Sequence, residues 1–236
     1  MISVNKCLFC GGIVKKEEVF CSKCGKAIQP LAKSSCKICG HEQCRCALYP
    51  DWERDLDGLC SCYFYAGEVR RVVSRFKFSG GRFLGRGMGK LMAQRLQEVF
   101  PDIPFDGICY IPTSPWHLFR RGYNQSAVLA RVISRFTSVK VYDKILKKRL
   151  GVKVQHTLSA KERIQNVKDA YYITDPKRIY GKTLLLVDDV STTGATLREC
   201  AGELKAAGTK AVYAVCFALT PNRRERKDGQ FEDAEF

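Results

Sequence analysis

The chain has 236 residues, 45% of them apolar and 11% aromatic, enough to bury one sizeable core and leave room for a small appended module. Its formal charge of +16 favours polyanionic partners and carries no information about fold. The apolar runs are strand-length, too short to span a bilayer, and the first residues lack the basic patch and apolar stretch of a secretory signal. No membrane insertion and a cytoplasmic location are therefore expected.

Ten of the thirteen cysteines precede residue 63, while nearly all the excess positive charge follows it. In a reducing compartment such density points to metal ligation rather than disulfides, and it divides the chain into a cysteine-rich module, residues 1–62, and a larger domain, residues 63–236. Cys7-x2-Cys10 and Cys21-x2-Cys24 are two knuckles, each followed by a glycine, with the spacing of a zinc ribbon. The segment Ile13 to Phe20 reads as a short hairpin joining them. A second set, Cys36, Cys39, Cys44 and Cys46, is less regular because it ends in a tight C-x-C pair, so Cys60, Cys62 and His41 compete as ligands. One or two structural zinc ions are expected, and a closed four-ligand site leaves no position open for catalysis.

In the larger domain, Ile108 to Pro115 reads as a strand ending in a tight turn. Arg120 and Arg121 follow it and lead into the amphipathic stretch Ser126 to Phe136; guanidinium groups suit bidentate phosphate contacts. Lys144, Lys147, Lys148, Arg149 and Lys153, followed by His156, fit a hood over a site, a track for single strands or a solvated face. Leu184 to Val187 is an apolar run with the character of a buried parallel strand. It delivers Asp188 and Asp189 to the carboxyl edge of a sheet, where ligands bind in open α/β folds and paired carboxylates suit the vicinal hydroxyls of a ribose. Ser191 to Thr196 then opens a helix, Ala195 to Ala207, whose free amides form a phosphate cradle. His41, His117 and His156 form no constellation with a serine or cysteine, which gives hydrolase chemistry no support.

The run Val187 to Thr196 resembles the 5-phosphoribosyl-1-pyrophosphate (PRPP) signature of type I phosphoribosyltransferases. The resemblance implies an α/β fold with an open parallel sheet flanked by helices. It also implies that Asp188 and Asp189 hold the ribose hydroxyls while Ser191, Thr192, Thr193, Gly194, Ala195 and Thr196 wrap the 5-phosphate. Together with Phe76-Lys77-Phe78-x-Gly80-Gly81, Pro112-Thr113-Ser114, Arg121-Gly122-Tyr123-Asn124-Gln125 and Gln155-x2-Leu158-x4-Arg163-x2-Asn166-Val167, the order of motifs is similar to that of the ComF family of competence-associated proteins. That family joins a zinc module to a phosphoribosyltransferase domain. By this resemblance Lys77, Thr113 and Ser114 also face PRPP, with Arg163 a further basic group there. Asp188, Asp189, Arg120 and Arg121 are the candidate catalytic residues, and magnesium accompanies the ligand. The acidic segment Phe231 to Phe236 matches no family motif and reads as a disordered tail.

The implied chemistry is displacement of pyrophosphate from ribose C1 by a nitrogen nucleophile, and no spacing identifies the acceptor. The resemblance implies a role in DNA uptake, handling incoming single-stranded DNA beside a helicase-like ATPase. The alternatives are a salvage phosphoribosyltransferase and a PRPP-sensing nucleic-acid module without catalysis; a homo-oligomer is compatible with each. Trp116, Phe119 and Tyr123, interleaved with Arg120 and Arg121, fit either stacking of single-stranded bases or packing beneath the pyrophosphate loop.

Overall fold

The computed structural model describes residues 5–44, 46, 56–78, 81–149, 170–222 and 225. Gly80, Lys153, His156, the Gln155 to Val167 motif with Arg163, and the acidic segment Phe231 to Phe236 lie outside the described residues.

Two strands form the centre of the larger domain: β7 (Thr183–Ser191) and β8 (Ala211–Leu219) pair in parallel from Thr183 opposite Ala211 to Ser191 opposite Leu219. Flanking them are β4 (Gly107–Tyr110), parallel to β7, and β3 (Gly58–Phe64), parallel to β8, giving one sheet in the order β3-β8-β7-β4. Leu184 to Val187 are almost fully buried because both faces of the sheet are covered, which explains a continuous apolar run in place of alternation. β3 carries Cys60 and Cys62 and crosses the boundary drawn from composition at residue 62.

One face of the sheet is covered by α2 (Gly67–Phe78), α3 (Leu84–Val99) and α5 (Gln125–Thr137), which pack on Leu185 and Val187. On α2 the buried residues Val69, Val72, Val73 and Phe76 recur at helical spacing and form a single stripe. Gly85 and Gly89 of α3 let α5 approach closely, since a Cβ at either would come within 2.6 Å of Val128 or Val132. The other face is covered by α6 (Ala195–Ala206), whose Leu197, Cys200, Ala201 and Leu204 pack with Leu184 and Leu186. The loop after β4 thus leads to a helix on one face and the loop after β7 to a helix on the other. That divergence opens a crevice at the carboxyl ends of adjacent strands.

At the amino end, β1 (Asn5–Lys6) pairs with β2 (Ile13–Val14), so the Cys7 to Cys10 knuckle sits within the turn of the hairpin. The hairpin expected over Ile13 to Phe20 is therefore displaced. Gly11, at φ +76°, turns the chain back early, and Cys24 falls on the short helix α1 (Ser22–Ala27). Cys7, Leu8 and Phe9 join the core under α2 and α3, so the module is fused to the sheet domain through apolar contact. Buried Arg95 adds a polar tie, donating to the carbonyls of Ser61 (3.0 Å) and Ala32 (2.7 Å). Among the described residues no helix is long and apolar enough to cross a membrane.

Candidate functional site

The end of β7 brings Asp188 and Asp189 into the crevice with different partners. Asp188 Oδ1 accepts hydrogen bonds from Ser126 Oγ at the start of α5 and from the Asp189 amide, both at 2.8 Å. Asp189 faces the end of α2, where Lys77 Nζ lies 3.2 Å from its Oδ2. Burial and then the charge of Asp189 push Asp188 up to about 7, against the opposing pull of Ser126 and Lys77. Burial lowers the Lys77 pKa, but Asp189 and Asp188 outweigh it and hold the ammonium above its ordinary value. Among the described residues the end of β7 thus brings two carboxylates together with one committed cation, Lys77.

Beyond Asp189 the chain turns through Ser191, Thr192 and Thr193 to Gly194, which caps α6 at φ +73° with no side-chain cap hydrogen bond. Thr193 Oγ1 accepts from the Ala195 amide (3.3 Å), and Thr196 interacts with the Tyr171 hydroxyl. Ser191 Oγ is buried and has no hydrogen-bond partner among the described residues. A buried hydroxyl in that state costs about 1–3 kcal/mol, which an oxygen-rich ligand in the crevice would offset.

The second wall is the segment after β4, whose Ile111 amide donates to the Val187 carbonyl (3.0 Å) and so sets the two loops side by side. Thr113 is half-buried, and Ser114 Oγ is occupied as the cap of α4 (Pro115–Arg121), accepting from the His117 amide at 3.3 Å. Gly122, at φ +75°, ends α4, and Asn124 caps α5 through the Ala127 amide (3.2 Å) while donating to the Ile111 carbonyl (3.0 Å). Arg121 Nη1 donates to buried Gln125 (3.3 Å); Arg121 Nε and Gln125 Nε2 have no partner among the described residues. Burial lowers the Arg121 pKa, and the attraction of Asp189 opposes that shift. Arg120 instead stacks over Phe78 and Trp116, 5.5 and 5.4 Å from the ring centres.

The sequence motifs for the crevice thus converge from β7, α2 and the loop after β4. Ser126 and Gln125 were not singled out by sequence reasoning as site residues; Ser126 meets Asp188 across 62 positions, and no local spacing encodes that contact. The packing alternative for the aromatics holds only for Tyr123, whose ring lies 5.8 Å from that of Phe76 and whose hydroxyl donates to the Phe76 carbonyl. Phe119 is 91% exposed and Trp116 57%, so neither packs beneath the loop; α4 is too short and too peripheral to bury them. Of the basic run, Lys147 and Lys148 lie on β5 (Leu146–Lys148), which pairs with β6 (Tyr171–Ile173), and Lys148 and Arg149 lie over the rings of Tyr171 and Tyr172.

The cysteines form two tetrads: Cys7, Cys10, Cys21 and Cys24; and Cys36, Cys39, Cys44 and Cys46. Within each, all four sulfurs lie within 4.8 Å of one another. Separations of 3.8 Å (Cys10–Cys21), 3.7 Å (Cys36–Cys46) and 3.9 Å (Cys39–Cys44) match the edge of about 3.8 Å that a tetrahedron with Zn–S bonds of about 2.3 Å requires. Burial raises the Cys7 thiol, but amides of Cys10, Cys21 and Phe9 outweigh it and bring it down to about 6, while burial and the neighbouring cysteines push Cys24 up to about 12, so without a metal the tetrad's sulfurs share their negative charge unevenly. Each tetrad can hold a zinc ion.

The competing ligands are used elsewhere. Cys60 and Cys62 are buried in β3, where burial raises both thiols. His41 Nδ1 contacts buried Glu225 Oε2 at 2.8 Å. Glu225 also accepts from the amides of Glu42 (3.0 Å), Gln43 (3.2 Å) and Asn222 (2.7 Å), and Asn222 Nδ2 donates to the Gln43 carbonyl (3.0 Å). The loop between Cys39 and Cys44 is thereby latched to the segment that follows β8, and the Thr220 amide in that segment donates to the Ser191 carbonyl (2.9 Å).

Residues 125–233 match the model of the phosphoribosyl transferase domain. The chain is 30% identical to the DNA utilization protein YhgH of Escherichia coli K12 over 85% of its own length and 90% of that protein's. It is 28% identical to Competence protein F of Haemophilus influenzae (86% of each chain) and 27% identical to Competence protein ComFC of Bacillus subtilis (78% and 77%). Among solved structures it is similar to the glutamine PRPP amidotransferase of B. subtilis, at 21% identity and a TM-score of 0.39, over 56% of this chain and a quarter (25%) of that one.

Proposed function

The chain belongs to the ComF family of competence and DNA-utilisation proteins, and from that premise we propose that its crevice binds PRPP with magnesium and that the protein handles single-stranded DNA in the cytoplasm, beside a helicase-like ATPase. The observation that carries the PRPP reading is the Asp188–Asp189 pair at the carboxyl end of β7, set beside an α6 N-terminus capped by Gly194 and a buried Ser191 hydroxyl without a partner among the described residues. In this reading the carboxylates accept hydrogen bonds from the ribose hydroxyls and the amides of residues 194–196 donate to the 5-phosphate. Ser191 Oγ gains the partner it lacks.

The pyrophosphate lies toward Thr113, Ser114, Arg120 and Arg121, with the Arg121 Nε free to donate to it. Gln125 fixes the guanidinium, which lowers the entropy lost on binding. Lys77 is paired with Asp189 in the free protein and is positioned to exchange that carboxylate for a phosphate oxygen. The two aspartates are hard oxygen donors suited to magnesium, which supplies positive charge at the leaving group when bound with the ligand.

Calorimetric titration of PRPP with magnesium into the wild-type protein and an Asp188→Asn/Asp189→Asn variant tests the site. Micromolar binding that the double substitution weakens at least about 100-fold, roughly 2.7 kcal/mol, is expected. Absence of binding to the folded wild-type protein overturns the reading. Pyrophosphate release with a base acceptor identifies a phosphoribosyltransferase, and binding without release identifies a sensing module.

A further inference from the structure

We propose that a second site, a cleft between the first zinc knuckle and helices α2 and α3, binds the phosphodiester backbone of a single-stranded nucleic acid. The proposal rests on the reading of a nucleic-acid partner given above and assigns that partner a place outside the PRPP crevice. The cleft encloses about 460 Å³. One wall is the knuckle, from Asn5 to Leu8 and Lys16 to Val19; the other is formed by Arg75 on α2 and by Arg86, Gly87 and Lys90 on α3.

Charge decides what fits there. Five cations, Lys6, Lys16, Arg75, Arg86 and Lys90, line the cleft against two carboxylates, Glu17 and Glu18. Glu18 is partly committed to the Lys15 amide (3.3 Å), and Lys90 Nζ donates to the Glu17 carbonyl (2.9 Å), which ties the walls together. Some basic side chains elsewhere are paired with carboxylates, among them Arg71 with Glu68, Arg131 with Asp143 and Lys205 with Asp57. Lys6, Lys16, Arg75 and Arg86 have no carboxylate partner among the described residues. Cations that converge on a concave surface without counter-charges suit a chain of phosphates.

The rim adds a second requirement. Phe83 is 66% exposed and Phe136 47% exposed, both lining the cleft and both presenting ring surface to solvent. Base–aromatic stacking contributes about 1–3 kcal/mol per base in proteins that bind single strands. A duplex keeps its bases stacked inside and cannot use these rings; a single strand uses both the rings and the cations. Arg75 and Lys77 stand two positions apart on α2, so the helix turns one toward the cleft and the other toward the crevice, and the two sites remain distinct.

The test measures fluorescence anisotropy of a labelled oligothymidylate with wild-type protein and with a Lys16→Glu/Arg86→Glu double variant, both positions being exposed. Arg75→Gln serves as a milder substitution on the opposite wall from Lys16. Affinity should fall roughly tenfold or more, and the slope of log K against log salt should shrink by about 1.4 for two lost phosphate contacts. Calorimetric PRPP affinity and zinc content should stay at wild-type values. Unchanged oligonucleotide affinity overturns the proposal, as does loss of binding confined to Trp116→Ala/Phe119→Ala, which would put the strand on α4. Equal, Lys16- and Arg86-dependent binding of polyglutamate overturns it in favour of an acidic protein. A wild-type protein that binds PRPP but no oligonucleotide refutes the cleft alone, and one that binds oligonucleotide but no PRPP refutes the crevice reading alone.

Discussion

Asp188 sits where burial and the neighbouring Asp189 both resist its ionisation, and its pKa of about 7 places the change near neutrality. Since the folded-state value lies above that of an unfolded aspartate, the folded protein takes up a proton as pH falls. The stability this provides is complete below about pH 4 and is lost as pH rises through about 7. Asp188→Asn should therefore raise the melting temperature at pH 8 by several degrees, and the difference should close as the pH approaches 4; thermal denaturation across that range checks it. A bound cation favours the ionised carboxylate, so binding of PRPP with magnesium at pH 7 should expel up to about half a proton per site. Calorimetric enthalpies that do not vary with the ionisation heat of the buffer would place Asp188 outside the binding event.

At the level of elements, α3 and α5 meet through glycines. Gly89→Ala gains about 1 kcal/mol of helix propensity but drives a methyl to 2.6 Å from Val132, an overpacking that costs about 1–3 kcal/mol. A net loss of about 1 kcal/mol is expected, read as a lower denaturant midpoint with an unchanged m-value. The second tetrad yields another prediction: Cys44→Ser should reduce zinc from two ions per chain to one, measured by elemental analysis, while retention of two would move the site to other ligands. The β7 strand, the turn into α6 and the cysteine tetrads were legible because each is marked by short local motifs. α2 and α3 were not assigned from the sequence. Glycines at 85, 87 and 89 obscure the apolar stripe of α3, although they are what permits its close packing. Ser126 with Asp188 and His41 with Glu225 were also out of reach, because each pairs residues that only the finished fold brings together.

Across the whole molecule, the positive charge that the sequence shows as a total is divided by the fold into separate groups. Lys77 and Arg121 stand near Asp189, Arg75 and Arg86 face the cleft, and Lys148 and Arg149 lie over tyrosines beside α6. The cysteine-rich module is not a loose appendage, since Cys7, Leu8 and Phe9 belong to the main core and Glu225 closes over the loop between Cys39 and Cys44 of the second tetrad. Glu225→Ala removes a buried acceptor of several hydrogen bonds and should cost about 2–4 kcal/mol; faster release of one zinc ion to a chelator, with the other unaffected, is the measurement. The latch also imposes an order on how the protein is made. At about 5–20 residues per second, a ribosome that has produced His41 needs roughly 10–40 s more to reach Glu225, 184 positions later. Through that interval the second tetrad exists without its carboxylate, so it is completed only after the β8 strand has been made.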